Sequence, residues 1–151
     1  MKFKDITSFG HIMFGDMSGQ VVYTDITVPI AVTSLEGAPL GCNNFDASFS
    51  RITSLKYAPK RMNKGNLTLN GCKNLESLEC DYPITIDGDF NCSETFIKDE
   101  ELIKQIVKYR IKAKNYYLSI AEFPFSEIKD QFDMDKGVKS KGFRILLGLK
   151  K

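Results

Sequence analysis

With 151 residues, 42% of them apolar and 26% charged, and a formal net charge of +2, the chain has the make-up of one folded, water-compatible domain and lacks the bias of a disordered or polyionic one. No run approaches the roughly 20 apolar residues that cross a bilayer, so no membrane role is expected. Met1-Lys-Phe-Lys-Asp-Ile-Thr7 is not followed by the apolar run of a secretory signal, so a cytoplasmic location is expected.

In chain order, Phe9-Gly-His-Ile-Met-Phe-Gly-Asp-Met-Ser-Gly19 and Val21-Val-Tyr-Thr-Asp-Ile-Thr-Val-Pro29 carry turn glycines and then β-branched and aromatic residues, which predicts a strand pair. From Ile6 onward a tetrapeptide recurs: Ile6-Thr-Ser-Phe9, Val32-Thr-Ser-Leu35, Ile52-Thr-Ser-Leu55 and Leu75-Glu-Ser-Leu78, at intervals of 26, 20 and 23 residues. A period in the twenties with leucines at fixed offsets is the pattern of short leucine-rich repeats. The fullest unit is Leu67-Thr-Leu-Asn-Gly-Cys-Lys-Asn-Leu-Glu-Ser-Leu78; Phe45, Ala47, Ile52 and Leu55 echo it before, and Phe90, Cys92 and Ile97 after.

Strand alternation turns Phe45 and Ala47, Leu67 and Leu69, and Phe90 and Cys92 inward. Their neighbours Asn44, Asp46 and Ser48, Asn66, Thr68 and Asn70, and Asp89, Asn91 and Ser93 then share one outer face, polar and slightly acidic, which is the candidate partner-binding surface. The same asparagines suit ladders that bond one repeat to the next. Cys42, Cys72, Cys80 and Cys92 form no Cys-x-x-Cys pair, and the single histidine, His11, stands apart, so no metal site and no cofactor are expected. Cys72 and Cys92 fit as buried, small apolar groups.

After Ile97 the period becomes helical. Asp99, Glu100 and Glu101 suit a first turn, and Leu102, Ile103, Ile106, Val107 and Ile111 form one apolar face. Lys104, Lys108, Arg110, Lys112 and Lys114 make a basic flank, which reads as either solvated or a docking stripe. Tyr116 to Phe125 is extended, Ser126 caps a short helix to Phe132, and Asp133-Met-Asp-Lys-Gly137 turns into a basic tail around Phe143-Arg-Ile-Leu-Leu-Gly-Leu149 that serves as a last core element or a docking peptide. The expected architecture is α+β in a single compact domain: a short leucine-rich-repeat-like β-solenoid over 1–97 with an atypical N-terminal cap, closed by a C-terminal α-helical cap over 98–151.

Thr33-Ser-Leu-Glu-Gly-Ala-Pro39, Thr53-Ser-Leu55 with Ala58-Pro59, and Asp87-Gly-Asp-Phe-Asn-Cys-Ser93 resemble the repeats of the small leucine-rich-repeat-like proteins of tailed bacteriophages over residues 32–97. The resemblance implies an accessory protein that binds a host protein in the host cytoplasm, inhibiting a defence or redirecting a host enzyme, and that is not itself an enzyme. A second reading rests on charge. Residues 1–97 carry 8 basic against 11 acidic side chains and residues 98–151 carry 13 against 8. Basic residues Lys112 and Lys114 beside Tyr116 and Tyr117 would suit a nucleic acid. A third reading, an enzyme using His11 with carboxylates, has no nucleophile placed beside the histidine by any local signature.

Overall fold

The computed structural model describes residues 1–6 and 15–132. In chain order the strands are β1 (Ile26–Thr27), β2 (Gly41–Cys42), β3 (Phe45–Asp46), β4 (Arg61–Met62), β5 (Leu67–Thr68), β6 (Ile84–Ile86) and β7 (Asp89–Asn91); helix α1 (Asp99–Lys108) follows, then β8 (Ile111–Lys112), β9 (Asn115–Tyr117), β10 (Glu122–Pro124) and the short helix α2 (Lys129–Phe132). Strands come in couples separated by turns of two or four residues, and the members of each couple join different sheets. One sheet is parallel, in the order β2-β4-β6-β8. The other has the order β1-β3-β5-β7-β9-β10, parallel until β10, which runs antiparallel to β9.

This is an α/β fold of one mixed and one parallel sheet with few helices, and it corrects the α+β leucine-rich-repeat-like β-solenoid with a C-terminal helical cap expected from the sequence. The repeat residues do not close a coil. They are divided between two sheets that share a core, and the apolar period reports only which residues face that core. Residues 98–132 are not a helical cap either: besides α1 they supply one strand to the parallel sheet and two to the mixed one. Ile111, expected on the helix, is instead a strand residue, because α1 ends at Lys108 with Tyr109 as its C-cap and Arg110 takes a left-handed conformation, φ +58°. Its N–H bonds to the carbonyl of Val107, which closes the last turn.

The inward residues are those the alternation predicted. Register aligns Ile26, Phe45, Leu67, Phe90 and Tyr116 across the mixed sheet, all buried, with Ala47, Leu69 and Cys92 behind them. Cys42, Met62 and Ile86 cover the other side, and Val32, Leu35, Ile52, Leu55, Leu75 and Leu78 fill the core from the connecting segments. Leu102, Ile103, Ile106 and Val107 of α1 add its last part. Of the predicted strand pair in residues 1–31, only the second run is seen, as β1 and a bridge from Val21 to Gly41; Phe9–Phe14 and His11 lie outside the described residues, as does the basic tail from Asp133. The extended reading of Tyr116 to Phe125 is met only in part, since β9 and β10 are extended but residues 118–121 turn the chain back between them, and Ser126 sits inside a 3-10 turn (Phe125–Glu127) rather than capping a helix.

All four thiols are free. Cys72 donates to the carbonyl of Ala47 at 3.0 Å, and Cys92 is fully buried. Burial pushes the Cys42 thiol up to about 12 and the Cys80 thiol up to about 11, and raises those of Cys72 and Cys92 as well. Because these groups bind their protons more tightly when folded, their contribution to stability is complete below the ordinary thiol pKa of about 8.5 and is lost as pH rises through the folded values. Thiol titration at pH 8 should therefore find four reactive groups in denaturant and at most one, half-buried Cys80, in the native protein; rapid native labelling of Cys72 or Cys92 would contradict the packing.

Candidate functional site

An outer face on the mixed sheet follows from the strand period of two. Between the buried residues, Thr27, Asp46, Thr68, Asn91 and Tyr117 align in register on the outside. One residue before each buried position stands Asp25, Asn44, Asn66, Asp89 or Asn115. This second row is bonded along its length. The Asp25 carboxylate accepts from the N–H and the side-chain amide of Asn44 at 3.1 and 3.0 Å. Asn44 Oδ1 accepts from the N–H of Asn66 at 2.7 Å, Asn66 Oδ1 from the N–H of Asp89 at 2.8 Å, and Asp89 Oδ1 from the side-chain amide of Asn115 at 3.0 Å. In the first three steps a side chain satisfies the backbone N–H of the next residue in the row, and in the last Asp89 holds the Asn115 side chain instead.

The nine residues singled out on this face are thus brought together, but they divide by role. Asn44, Asn66 and Asp89 belong to the ladder. Asp46 Oδ1 accepts from the Ser48 N–H at 2.9 Å, and Asn91 Oδ1 from the Ser93 N–H at 3.1 Å, so these two shape the turn that ends each strand. The Ser93 hydroxyl donates to Asn70 Oδ1 at 2.7 Å and links two repeats. The side chains of Ser48 and Thr68 carry no such task, and both are half-buried. Replacing Asn66 with alanine is expected to cost about 1 kcal/mol, the net worth of one hydrogen bond, measurable by urea denaturation. An unchanged midpoint would show the ladder to be dispensable.

Two ladder members, Asp25 and Asn115, were not singled out from the sequence, nor was Tyr117. The signal was present as a dipeptide, aspartate or asparagine followed by a buried apolar or aromatic residue: Asp25-Ile26, Asn44-Phe45, Asn66-Leu67, Asp89-Phe90 and Asn115-Tyr116. At the β9–β10 end, Asn115, Tyr117, Glu122, Phe123 and Pro124 line a shallow depression of about 290 Å³. Its carboxylate and phenol can receive a cationic side chain.

The basic flank does not form one stripe. Lys104 pairs with Glu100 at 3.8 Å and Lys108 lies over its neighbour Tyr109, both on α1. Arg110 donates to the carbonyl of Phe132 at 2.9 Å. Lys112 lies outward on β8, over the ring of Phe125, and Lys114 stands in the turn that follows. Among the described residues no three His, Cys, Asp or Glu side chains gather as a metal site, and no helix is long and apolar enough to cross a membrane. Comparison of the chain with protein-family models, with curated proteins and with solved structures finds no match.

Proposed function

We propose that the chain is a protein-binding module whose contact surface is the outer face of the mixed sheet, with the accessory role implied by its phage-like repeats: binding a host protein in the host cytoplasm, to inhibit a defence or redirect an enzyme. The observation that carries this reading is the character of the face. Its strand residues Thr27, Asp46, Thr68, Asp89, Asn91, Asn115, Tyr117 and Glu122 include three carboxylates and no lysine or arginine, and they are held in register by the ladder beneath them. A rigid, polar, cation-free surface suits a partner that presents basic side chains, because complementary charge selects and steers the encounter.

The test separates binding from folding. Thr68→Arg with Tyr117→Arg places two cations on the face without touching the ladder, so melting should move little. Recovery of a stoichiometric protein partner by the tagged chain from bacterial host lysate is expected to fall at least tenfold. Equal recovery by wild type and the double variant would remove this face from the reading.

A further inference from the structure

The parallel sheet has an outer face of the opposite character. Register aligns Gly41, Arg61, Thr85 and Lys112 across β2, β4, β6 and β8, and the neighbours of Arg61, Thr85 and Lys112 within their strands are buried, so these three project outward. Beside Arg61 stand Lys60 and Lys64, and beside Lys112 stands Lys114, all exposed. Neighbouring strands lie about 4.8 Å apart, so the β4 and β8 cations form two rows about 10 Å apart, with Thr85 on the floor between them.

Two carboxylates enter this arrangement, Asp87 and Asp81. Asp87 accepts from Arg61 Nη2 at 2.7 Å and from the Lys64 N–H at 2.8 Å, and the Lys64 backbone, then the Arg61 guanidinium, hold its carboxyl below the ordinary range. It fixes the guanidinium while leaving most of its donors available. At the mouth of the trough Tyr57 and Tyr82 are each nearly half exposed, with Lys60 5.6 Å from the Tyr82 ring centre. Asp81 stands there too, its carboxylate taken by the N–H of Tyr57 at 2.9 Å.

We propose that this trough binds single-stranded nucleic acid, with the phosphodiester backbone between the rows Lys60, Arg61, Lys64 and Lys112, Lys114, and bases stacked on Tyr57 and Tyr82. Two rows of cations with half-exposed aromatic rings at one end are the elements of sequence-tolerant single-strand binding. The proposal is independent of the protein-binding reading, which concerns the opposite sheet.

Fluorescence anisotropy of the full chain with a labelled oligothymidylate of twelve nucleotides tests it. Five phosphate contacts give a logarithmic salt slope of about −3.5, so affinity is expected to fall about 100-fold between 50 and 200 mM salt. Lys60→Glu with Lys112→Glu, which leaves the Arg61–Asp87 pair intact, should weaken binding at least tenfold and flatten the slope, with the melting curve confirming the fold. Lys104→Glu with Lys108→Glu, on α1, should leave binding unchanged. No binding by the wild type at 50 mM salt would overturn the proposal. So would equal binding by the trough variant, which would place the contact elsewhere, or equal displacement of the oligonucleotide by polyglutamate, which would make the trough a docking face for acidic protein.

Discussion

Replacing Phe90 with alanine is expected to lower stability by about 3–5 kcal/mol, a large part of the 5–15 kcal/mol that holds a domain of this size. The ring is fully buried, aligned between Leu67 and Tyr116 in the mixed sheet, with its centre 6.2 Å from that of Tyr116 in an edge-to-face arrangement. Tyr116 in turn stacks on Phe123 at 5.2 Å, and its hydroxyl donates to the Ile111 carbonyl at 2.7 Å while accepting from the Ala113 N–H at 2.9 Å. Removing the Phe90 ring therefore opens a cavity beside a polar group already fixed on two sides, and the neighbours cannot collapse into it. For a chain of this length the melting temperature should drop by about 10 °C or more. Phe90→Leu, which keeps most of the volume, should lose far less. A Phe90→Ala protein that melts within 2 °C of wild type would show that the column of aligned residues is not what joins the sheet to the C-terminal strands.

Asp99→Ala comes second, with an expected loss of about 2–4 kcal/mol. Asp99 opens α1 and is almost fully buried, and its carboxylate accepts from three consecutive backbone N–H groups, those of Ser119 at 3.1 Å, Ile120 at 2.9 Å and Ala121 at 2.9 Å. Hydrogen bonds to a charged acceptor contribute about 1.5–3 kcal/mol each. The exposed side chains of Ser119 and Ile120 mark a place where water can replace part of that, so the sum stays below the arithmetic maximum. The carboxylate also sits where the helix dipole favours it. Amide exchange should localise the damage: the turn from Leu118 to Ala121 should lose protection while Leu67 and Leu69 keep theirs. Asp99→Asn, with one oxygen left to accept, should fall between the two. Uniform loss of protection across the molecule would argue against a local clamp.

The recurring apolar offsets named the core residues correctly, because burial imposes the same alternation on any short strand. They did not reveal that the core is shared by two sheets. β2, β4 and β8 are only two residues long, too short for a period to show, although Pro39, Pro59 and Pro83 stand one or two residues ahead of β2, β4 and β6. The end of α1 was missed for a different reason. Arg110 adopts a left-handed conformation without being glycine or asparagine, so no residue type announces it, and the apolar pattern runs on through Ile111 as if the helix continued. On the candidate face, alternation set the nine residues on the correct side. It could not tell a side chain that points to solvent from one that bonds the next strand, since that difference lies in register. Only alignment of Asn44, Asn66 and Asp89 across strands separates the two.

The reversal at β10 has a consequence for self-association. From β1 to β9 the mixed sheet adds strand after parallel strand with matching register, a geometry with no inherent limit, to which the first strand of another molecule could be appended without end. β10 turns back along β9 and carries Pro124, which has no N–H to offer, so the growing edge is occupied by a strand of the wrong direction and with a missing donor. Addition of a further parallel strand at that edge would meet both obstacles, and Asp99, which bonds the turn between β9 and β10, holds the reversed strand in place as well as the end of the helix.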